Sequence, residues 1–298
     1  MTEPAQPRLV FLGLPRTGKS TFLGALWALI QSPAEGSVRE LEFTGDRSYV
    51  QRLADQVALG EELDRTALDS DEELAVVVDF EAGGPAKLVI PDTSGESLRV
   101  LVERRIWFPR LLEACAAATA VLVFVHPDRL LLPQRIVVAP DGATMPEAEA
   151  ESPQAESDQA ERHLEFHPAD AIGFHAREHQ CTAAELIDAF ENLAELWDGR
   201  RPVRVGVIVS AWDRVGGDPK PSPFQWMQAH LPGVLATFES NRDVAALEIF
   251  GVSAQGGSLE ARDELLARGE IYDRVFAEDC SGRRISLVEP IRWAIFGP

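Results

Sequence analysis

Apolar residues follow two alternating patterns along the chain, continuous runs and helical spacing. The run RLVFLGL at 8–14 has the length of a strand, and such a run suits a strand buried on both faces of a parallel sheet. From Lys19 to about Gln31 the apolar residues follow a helical period, at Phe22, Leu23, Leu26, Trp27 and Ile30. The pattern therefore predicts a strand, a glycine-containing loop and a helix at the start of the chain.

The alternation continues to the end of the sequence. Two runs, ELAVVVDFEA at 73–82 and AKLVIPD at 86–92, are joined by Gly83-Gly84-Pro85, which is typical of a hairpin. Further strands are predicted at 120–125, 203–210 and 247–253, the last of these closing the set. Helices are predicted around 48–59 and over 97–118, 182–197 and 286–296. Strands alternating with helices predict an α/β three-layer sandwich, with helices on both faces of a mostly parallel sheet.

Residues 128–180 interrupt this alternation. Between Asp141 and Glu165 there are eight acidic residues and one arginine. Such a segment buries too little apolar surface to offset the entropy of ordering it. We therefore expect one domain over 1–298, with a partly disordered acidic insertion at 128–180. The insertion also carries four histidines, which we interpret as part of a solvated linker rather than a zinc site: His163, His167, His175 and His179.

Charge and cysteine content narrow the classes of function. The chain has 28 Lys and Arg against 48 Asp and Glu, a net charge of −20. This acidity argues against nucleic acid and anionic membranes as partners. The longest apolar stretch, at 114–125, is too short to span a bilayer, and no signal peptide is apparent. Three scattered cysteines are typical of a reducing compartment, so we expect a cytoplasmic protein without a transmembrane segment.

The segment GLPRTGKS at 13–20 has the spacing of a phosphate-binding loop. Gly13 and Gly18 allow the backbone close to phosphate oxygens, and the loop amides and helix start form an anion cradle. Lys19 reaches the β- and γ-phosphates, and the Ser20 hydroxyl is a ligand for Mg²⁺. The sequence thus predicts a nucleoside triphosphate bound with Mg²⁺. The predicted contacts from this segment are Gly13, Arg16, Thr17, Gly18, Lys19, Ser20 and Thr21.

A second motif, DTSG, follows the strand at 86–92. Asp92 ends the strand and Gly95 lies three residues later. In a sheet that carries a phosphate loop, this aspartate is placed to hold Mg²⁺, and the glycine amide to meet the γ-phosphate. An ordinary turn is the alternative, because Asp, Ser and Gly are common turn residues.

Two motifs at later strand ends, SAWD and SAQ, are candidate contacts for the base of the nucleotide. SAWD places Asp213 after the strand at 203–210, and a carboxylate accepts from both the ring N–H and the amino group of guanine. Adenine would leave this acid facing an acceptor, at a cost of about 1–3 kcal/mol for each unmade bond. SAQ places the amides of Ser253 and Ala254 where they could meet the guanine carbonyl. A capping aspartate and a plain turn are the alternatives.

In this order GLPRTGKS, DTSG, SAWD and SAQ resemble the motifs of small-GTPase-like P-loop GTPases, of the Ras-like and translation-factor class. The resemblance runs from Arg8 to about Gly257, the insertion excepted. More loosely, the chain resembles predicted GTPases of bacterial conflict and signalling operons. The resemblance implies a P-loop NTPase fold, GTP and GDP as ligands with Mg²⁺, and a protein effector or activating partner.

The resemblance also implies a threonine that meets the γ-phosphate and Mg²⁺. Thr66 lies just before the strand at 73–82, and Thr44 is its rival. We prefer Thr66, because a predicted helix separates Thr44 from that strand.

The chain departs from the family pattern at several positions. Ser210-Ala211 stands where the family has Asn-Lys, so guanine preference is weakened unless Trp212 compensates. Glu96 follows Gly95 where Ras-like enzymes carry a glutamine that orients the attacking water. Arg65 and Arg16 are the candidates within the chain for the positive charge that hydrolysis needs.

Three hypotheses follow for the function. The first is a GTP-binding switch that hydrolyses GTP slowly with Mg²⁺ and is stimulated by a partner, with Lys19, Glu96, Thr66 and Arg65 as the catalytic residues. The second is a GTP-binding scaffold with negligible turnover, because of Glu96. The third is a P-loop ATPase or kinase, because Asn-Lys is missing.

Overall fold

The structure is a computed structural model that describes residues 6–32, 38–63, 74–81, 83–91, 95–132, 136–138, 144–146, 181–197 and 202–298. Its strands are β1 Arg8–Gly13, β2 Val38–Thr44, β3 Leu74–Phe80, β4 Gly84–Ile90, β5 Ala120–Val125, β6 Ile136–Val138, β7 Thr144–Pro146, β8 Val203–Val209, β9 Ala245–Ser253, β10 Phe276–Glu278 and β11 Arg284–Ile285. Its helices are α1 Lys19–Ile30, α2 Arg47–Ala58, α3 Glu96–Arg104, α4 Pro109–Ala116, α5 Thr182–Trp197, α6 Pro223–His230, α7 Pro232–Ser240, α8 Arg262–Ala267, α9 Ile271–Arg274 and α10 Glu289–Phe296.

Nine of these strands form one sheet in the order β11-β10-β9-β8-β5-β1-β4-β3-β2. The five central strands, from β9 to β4, run parallel to one another, whereas the flanking pairs are antiparallel. In β1 the register sets Leu9 opposite Leu88 of β4 and Ala120 of β5. The carboxyl ends of β1, β5, β8 and β9 therefore meet at one edge, where ligands bind in open α/β sheets.

Helices cover both faces of the sheet, which makes three layers. Along β1, Leu9 and Phe11 belong to a core with α1, α2 and α10, whereas Val10 and Leu12 belong to a second core with α3, α5 and α7. Successive strand side chains point to opposite faces, so a strand that feeds both cores must be apolar throughout. The predicted three-layer α/β sandwich with a mostly parallel sheet is confirmed.

Two predicted elements need correction, and one strand was not predicted. The helix expected over 97–118 is two helices, because Arg105 adopts a left-handed φ of 55° and α4 begins at Pro109. A proline at the first helical position lacks only an N–H that would be unpaired anyway, so it starts a helix well. The strand ending at Ser253 is not the last, since β10 pairs with it and β11 follows. The edge strand β2 lies in a segment where no strand was predicted.

The segment expected to be an insertion leaves the sheet next to β5 and returns at α5. Its two ends are joined, because the Thr182 amide donates to the Leu131 carbonyl at 2.9 Å and the Leu131 amide donates to Thr182 Oγ1 at 2.9 Å. Between these ends the described residues include the small antiparallel pair β6 and β7. The four histidines lie outside the described residues. That 1–298 forms one domain stays a prediction.

Candidate nucleotide site

The candidate phosphate loop connects β1 to α1 at the carboxyl edge of the sheet. Gly18 precedes α1 with φ 92°, in the left-handed region that favours glycine. A Cβ at Gly18 would lie 2.9 Å from the Cβ of Ser210, closer than two carbons can pack. The glycine therefore serves both the turn and the close approach of the loop that carries the SAWD motif.

Lys19 is buried and folds back over the loop. Its Nζ donates to the carbonyl oxygens of Gly13 at 2.7 Å and Leu14 at 2.9 Å. The Thr17 hydroxyl donates to the same Leu14 oxygen at 2.8 Å. Ser20 and Thr21 follow in the first turn of α1, where amides have no partner within the helix. A concentration of positive charge and amides at this point suits an anion.

Gly95 lies against this loop. It has φ 85°, and a Cβ there would lie 2.5 Å from the Gly13 oxygen and 2.7 Å from Lys19 Nζ. The glycine of the DTSG motif is therefore in contact range of the lysine, as a shared γ-phosphate site requires. Glu96 follows as the exposed first residue of α3. Asp92 lies outside the described residues.

The two candidate base motifs are joined by a hydrogen bond. Ser253 Oγ donates to Asp213 Oδ1 at 2.5 Å, and the Gly256 amide donates to Ser253 Oγ at 3.1 Å. Ser253 and Ala254 are both buried. Because Ser210 packs on Gly18, this pair sits on the same sheet edge as the phosphate loop. The structure thus places the described residues of the DTSG, SAWD and SAQ motifs beside the candidate phosphate loop.

Trp212 does not replace the missing lysine on the base. It is fully buried, its indole lies on the backbone of Gly251, and its Nε1 donates to Glu278 Oε2 at 2.7 Å. A side chain buried in this way cannot pack along the base. That Trp212 compensates for the missing lysine in some other way stays a prediction. Ala211, in left-handed conformation at φ 46°, offers only a methyl group.

The remaining predicted site residues lie outside the described residues or at the exposed rim of the site. Arg65 and Thr66 lie outside the described residues, so their assignment stays a prediction. The rival Thr44 ends β2 and is exposed. Arg16 is exposed at the tip of the phosphate loop, with φ 63°.

A cleft of about 220 Å³ adjoins the other side of the loop. Its lining includes Pro15, Arg99 of α3, His126 after β5 and Glu185 of α5. Burial lowers the pKa of His126 and raises the pKa of Glu185, so burial favours the neutral form of each. His126 begins a turn, where its Nδ1 accepts from the Asp128 amide at 3.2 Å. The sequence did not predict this cleft.

Comparison with known proteins decides the family. A family model described as Double-GTPase 1 matches residues 10–294. The chain belongs to the Double-GTPase 1 family. Membership in this GTPase family supports GTP binding, and it confirms the resemblance to P-loop GTPases. No curated protein matches the chain.

The solved structures described next match the chain with low identity and low TM-scores. The bacterial selenocysteine-specific elongation factor EF-Sec matches at 13% identity with a TM-score of 0.36, over 88% of this chain and 28% of that one. Era of Aquifex aeolicus, bound to GDP and AlF4⁻, matches at 12% identity with a TM-score of 0.33, over 87% of this chain and 54% of that one. The SRb-GTP/SRX complex of the signal recognition particle receptor from Chaetomium thermophilum matches at 10% identity with a TM-score of 0.35, over 88% of this chain and 96% of that one. The Double-GTPase 1 chain thus spans about a quarter to a half of the first two.

Among the described helices of this Double-GTPase 1 protein, none is both long and apolar enough to cross a membrane. Within the described ranges, no group of three or more His, Cys, Asp or Glu side chains forms a metal-binding cluster.

Proposed function

We propose that the protein is a GTP-binding molecular switch that hydrolyses GTP slowly with Mg²⁺ and is stimulated by a partner. The observation that carries the proposal is that described parts of the DTSG, SAWD and SAQ motifs lie together beside the phosphate loop. Gly18 packs on Ser210, Gly95 packs on Gly13 and Lys19, and Asp213 bonds Ser253. Parallel topology brings these strand ends to one edge, and the close contacts of Gly18 and Gly95 fit a nucleotide shared between them.

The phosphate end uses the loop and Lys19. The loop amides and the start of α1 would hold the phosphates, and Lys19 Nζ would exchange its carbonyl partners for phosphate oxygens. Mg²⁺ would neutralise charge on the β- and γ-phosphates. Its proposed ligands are Ser20, at the start of α1, together with Thr66 and Asp92. The hydroxyl and carboxylate oxygens of this set suit a hard cation.

The base end uses Asp213 with Ser253 and Ala254. Ser253 holds one carboxylate oxygen of Asp213, and this hydrogen bond restricts how the carboxylate can rotate. An oriented carboxylate suits the paired N–H groups of guanine. The buried backbone of Ser253 and Ala254 suits the guanine carbonyl, so we propose guanine as the base.

Turnover is proposed to be slow because of Glu96. An ionised glutamate accepts but does not donate, and its charge faces the phosphate. The positive charge for hydrolysis is assigned to Arg16 or Arg65 within the chain, or to an arginine of the partner. The name of the family makes a second GTPase the first candidate partner. We place the protein in the cytoplasm, with no nucleic acid partner, on its charge and its scattered cysteines.

Base selection tests the proposal directly. Titration with GTP, XTP and ATP in the presence of Mg²⁺ is expected to show a preference for GTP in the wild type. Asp213→Asn exchanges an acceptor oxygen for an amino group, so it should weaken GTP and improve XTP. A wild-type preference for ATP would instead support the ATPase or kinase hypothesis, which the Ser210-Ala211 sequence motivates.

A further inference from the structure

Three consecutive residues after β8 are tied to three different elements. Trp212 bonds Glu278 of β10, Asp213 bonds Ser253 at the end of β9, and Arg214 pairs with Asp128 after β5, at 2.7 Å. The turn that carries Asp213 is therefore fixed from both sides along the chain. The residues on either side of Asp213, Trp212 and Arg214, bond other parts of the protein.

The tie made by Trp212 is the most buried of the three. Its indole lies so close to Gly251 that a Cβ there would be 2.5 Å from ring atoms, so β9 must carry glycine at this position. Its N–H donates to Glu278 Oε2 at 2.7 Å. Lys220 donates to the other oxygen, Oε1, at 3.1 Å, and its Nζ lies 4.8 Å from the centre of the indole ring. The three side chains thus form a closed set of contacts, which we call the tryptophan strut.

We propose that the tryptophan strut, Trp212 with Glu278 and Lys220, is a positioning element that sets base selectivity by fixing Asp213. The inference rests on the proposed function, since it assigns Asp213 to the base. None of the three residues is a candidate contact of the nucleotide. Their effect passes through the peptide bond between Trp212 and Asp213.

The physical reason lies in how guanine is selected. Two parallel hydrogen bonds to one carboxylate demand a fixed position and orientation, because hydrogen bonds weaken steeply with misalignment. Ser253 restrains the side chain of Asp213, while the strut restrains its backbone. Ala211, the residue before Trp212, has only a methyl group to offer the base. Selectivity then depends strongly on the geometry of Asp213.

The test is Trp212→Phe, which removes the indole N–H and keeps an aromatic ring. Its matched control is Trp197→Phe. Trp197 is also fully buried, and its Nε1 also donates a hydrogen bond, to the Cys115 carbonyl at 3.1 Å. It is the last residue of α5 and, within the described residues, has no hydrogen bond to the turn that carries Asp213. Affinities for GTP and ATP with Mg²⁺ are measured by calorimetry, and stability by urea unfolding. Both variants lose stability, so stability alone does not distinguish them.

The ratio of GTP to ATP affinity is the decisive readout. Trp212→Phe should lower it at least about tenfold, while Trp197→Phe leaves it within about twofold of the wild type. Glu278→Gln keeps an oxygen for the indole and should retain most of the selectivity, whereas Glu278→Ala should lose it. The double variant Trp212→Phe with Glu278→Ala should be no worse than either single change, as coupled residues require.

An unchanged ratio in Trp212→Phe overturns the strut while leaving the proposed function intact. A wild type without guanine preference overturns both, and the two failures are therefore distinguishable. If the tryptophan variants do not fold, Lys220→Met decides, since Lys220 is about one-third exposed and the change is compatible with folding. It should lower the ratio about threefold, and an unchanged ratio would contradict the proposal.

Discussion

Replacing Gly95 by alanine gives the sharpest test of how the site is assembled. Gly95 has φ 85°, and an added Cβ would meet the Gly13 oxygen at 2.5 Å and Lys19 Nζ at 2.7 Å. Gly84 is a matched control, because it has nearly the same φ of 83° and nothing within 4 Å of its Cβ. The two alanine variants therefore share the cost of a left-handed backbone, and they differ in the collision with the phosphate loop.

The magnitudes follow from these two terms. A left-handed alanine costs about 1–2 kcal/mol, partly offset by about 0.4–1 kcal/mol from a less flexible unfolded chain. Gly84→Ala should therefore lose about 0–1.6 kcal/mol of unfolding free energy. Gly95→Ala adds the cost of overpacking, about 1–3 kcal/mol. It should also weaken Mg·GTP at least tenfold, about 1.4 kcal/mol, because the displaced atoms belong to the phosphate loop.

Urea unfolding measures the loss of stability in each variant, and calorimetry with Mg·GTP measures the loss of affinity. Affinity in Gly84→Ala should equal that of the wild type. If the two variants lost equal stability and both kept full affinity, Gly95 would not adjoin the loop. The assignment of DTSG to the γ-phosphate site would then be refuted.

Three further predictions concern the phosphate loop, turnover and the core. Lys19→Ala and Ser20→Ala should each weaken Mg·GTP at least tenfold by calorimetry, about 1.4 kcal/mol, and unchanged affinity would contradict the loop assignment. The purified protein alone should release phosphate from GTP more slowly than about 0.1 per second. Faster release that survived Arg16→Ala and Arg65→Ala would refute an arginine role within the chain. Burial raises the pKa of Cys115 from 9.0 to about 12, so its unfolded thiol ionises first and stability should fall from about pH 9 to 12. Urea midpoints of Cys115→Ala should show less of this decline.

The parts of the fold that the sequence predicts are those set by local pattern. The helix α5 has the predicted bounds, Thr182–Trp197, because one apolar stripe repeats along its whole length. The strands β1, β5 and β8 were predicted because they feed two cores and so are apolar throughout. The strand β2 was missed, since an edge strand with one mostly exposed face carries charges such as Arg39 and Glu42.

The candidate site also has residues that local spacing predicts and residues that depend on distant parts of the chain. The loop glycine Gly18 and the base residue Asp213 could be named from spacing alone, since each lies at a strand end. That Trp212 faces the core rather than the base could not be predicted, because it depends on Gly251 and Glu278, which are distant in the sequence. Trp212 and Asp213 are neighbours in one turn, and the packing of β9 and β10 determines that Trp212 is the buried one.

The hydrogen-bonded pair of Leu131 and Thr182 has a consequence for how the chain tolerates change. Because these two residues are held together, the length of chain between them bears weakly on the rest of the fold, and each doubling of a flexible loop costs only about 0.6 kcal/mol. The position is therefore a graft point, where the segment can be shortened, lengthened or exchanged for another module. Both residues also line the cleft beside the phosphate loop. A module attached at this graft point would lie at the edge of the proposed nucleotide site.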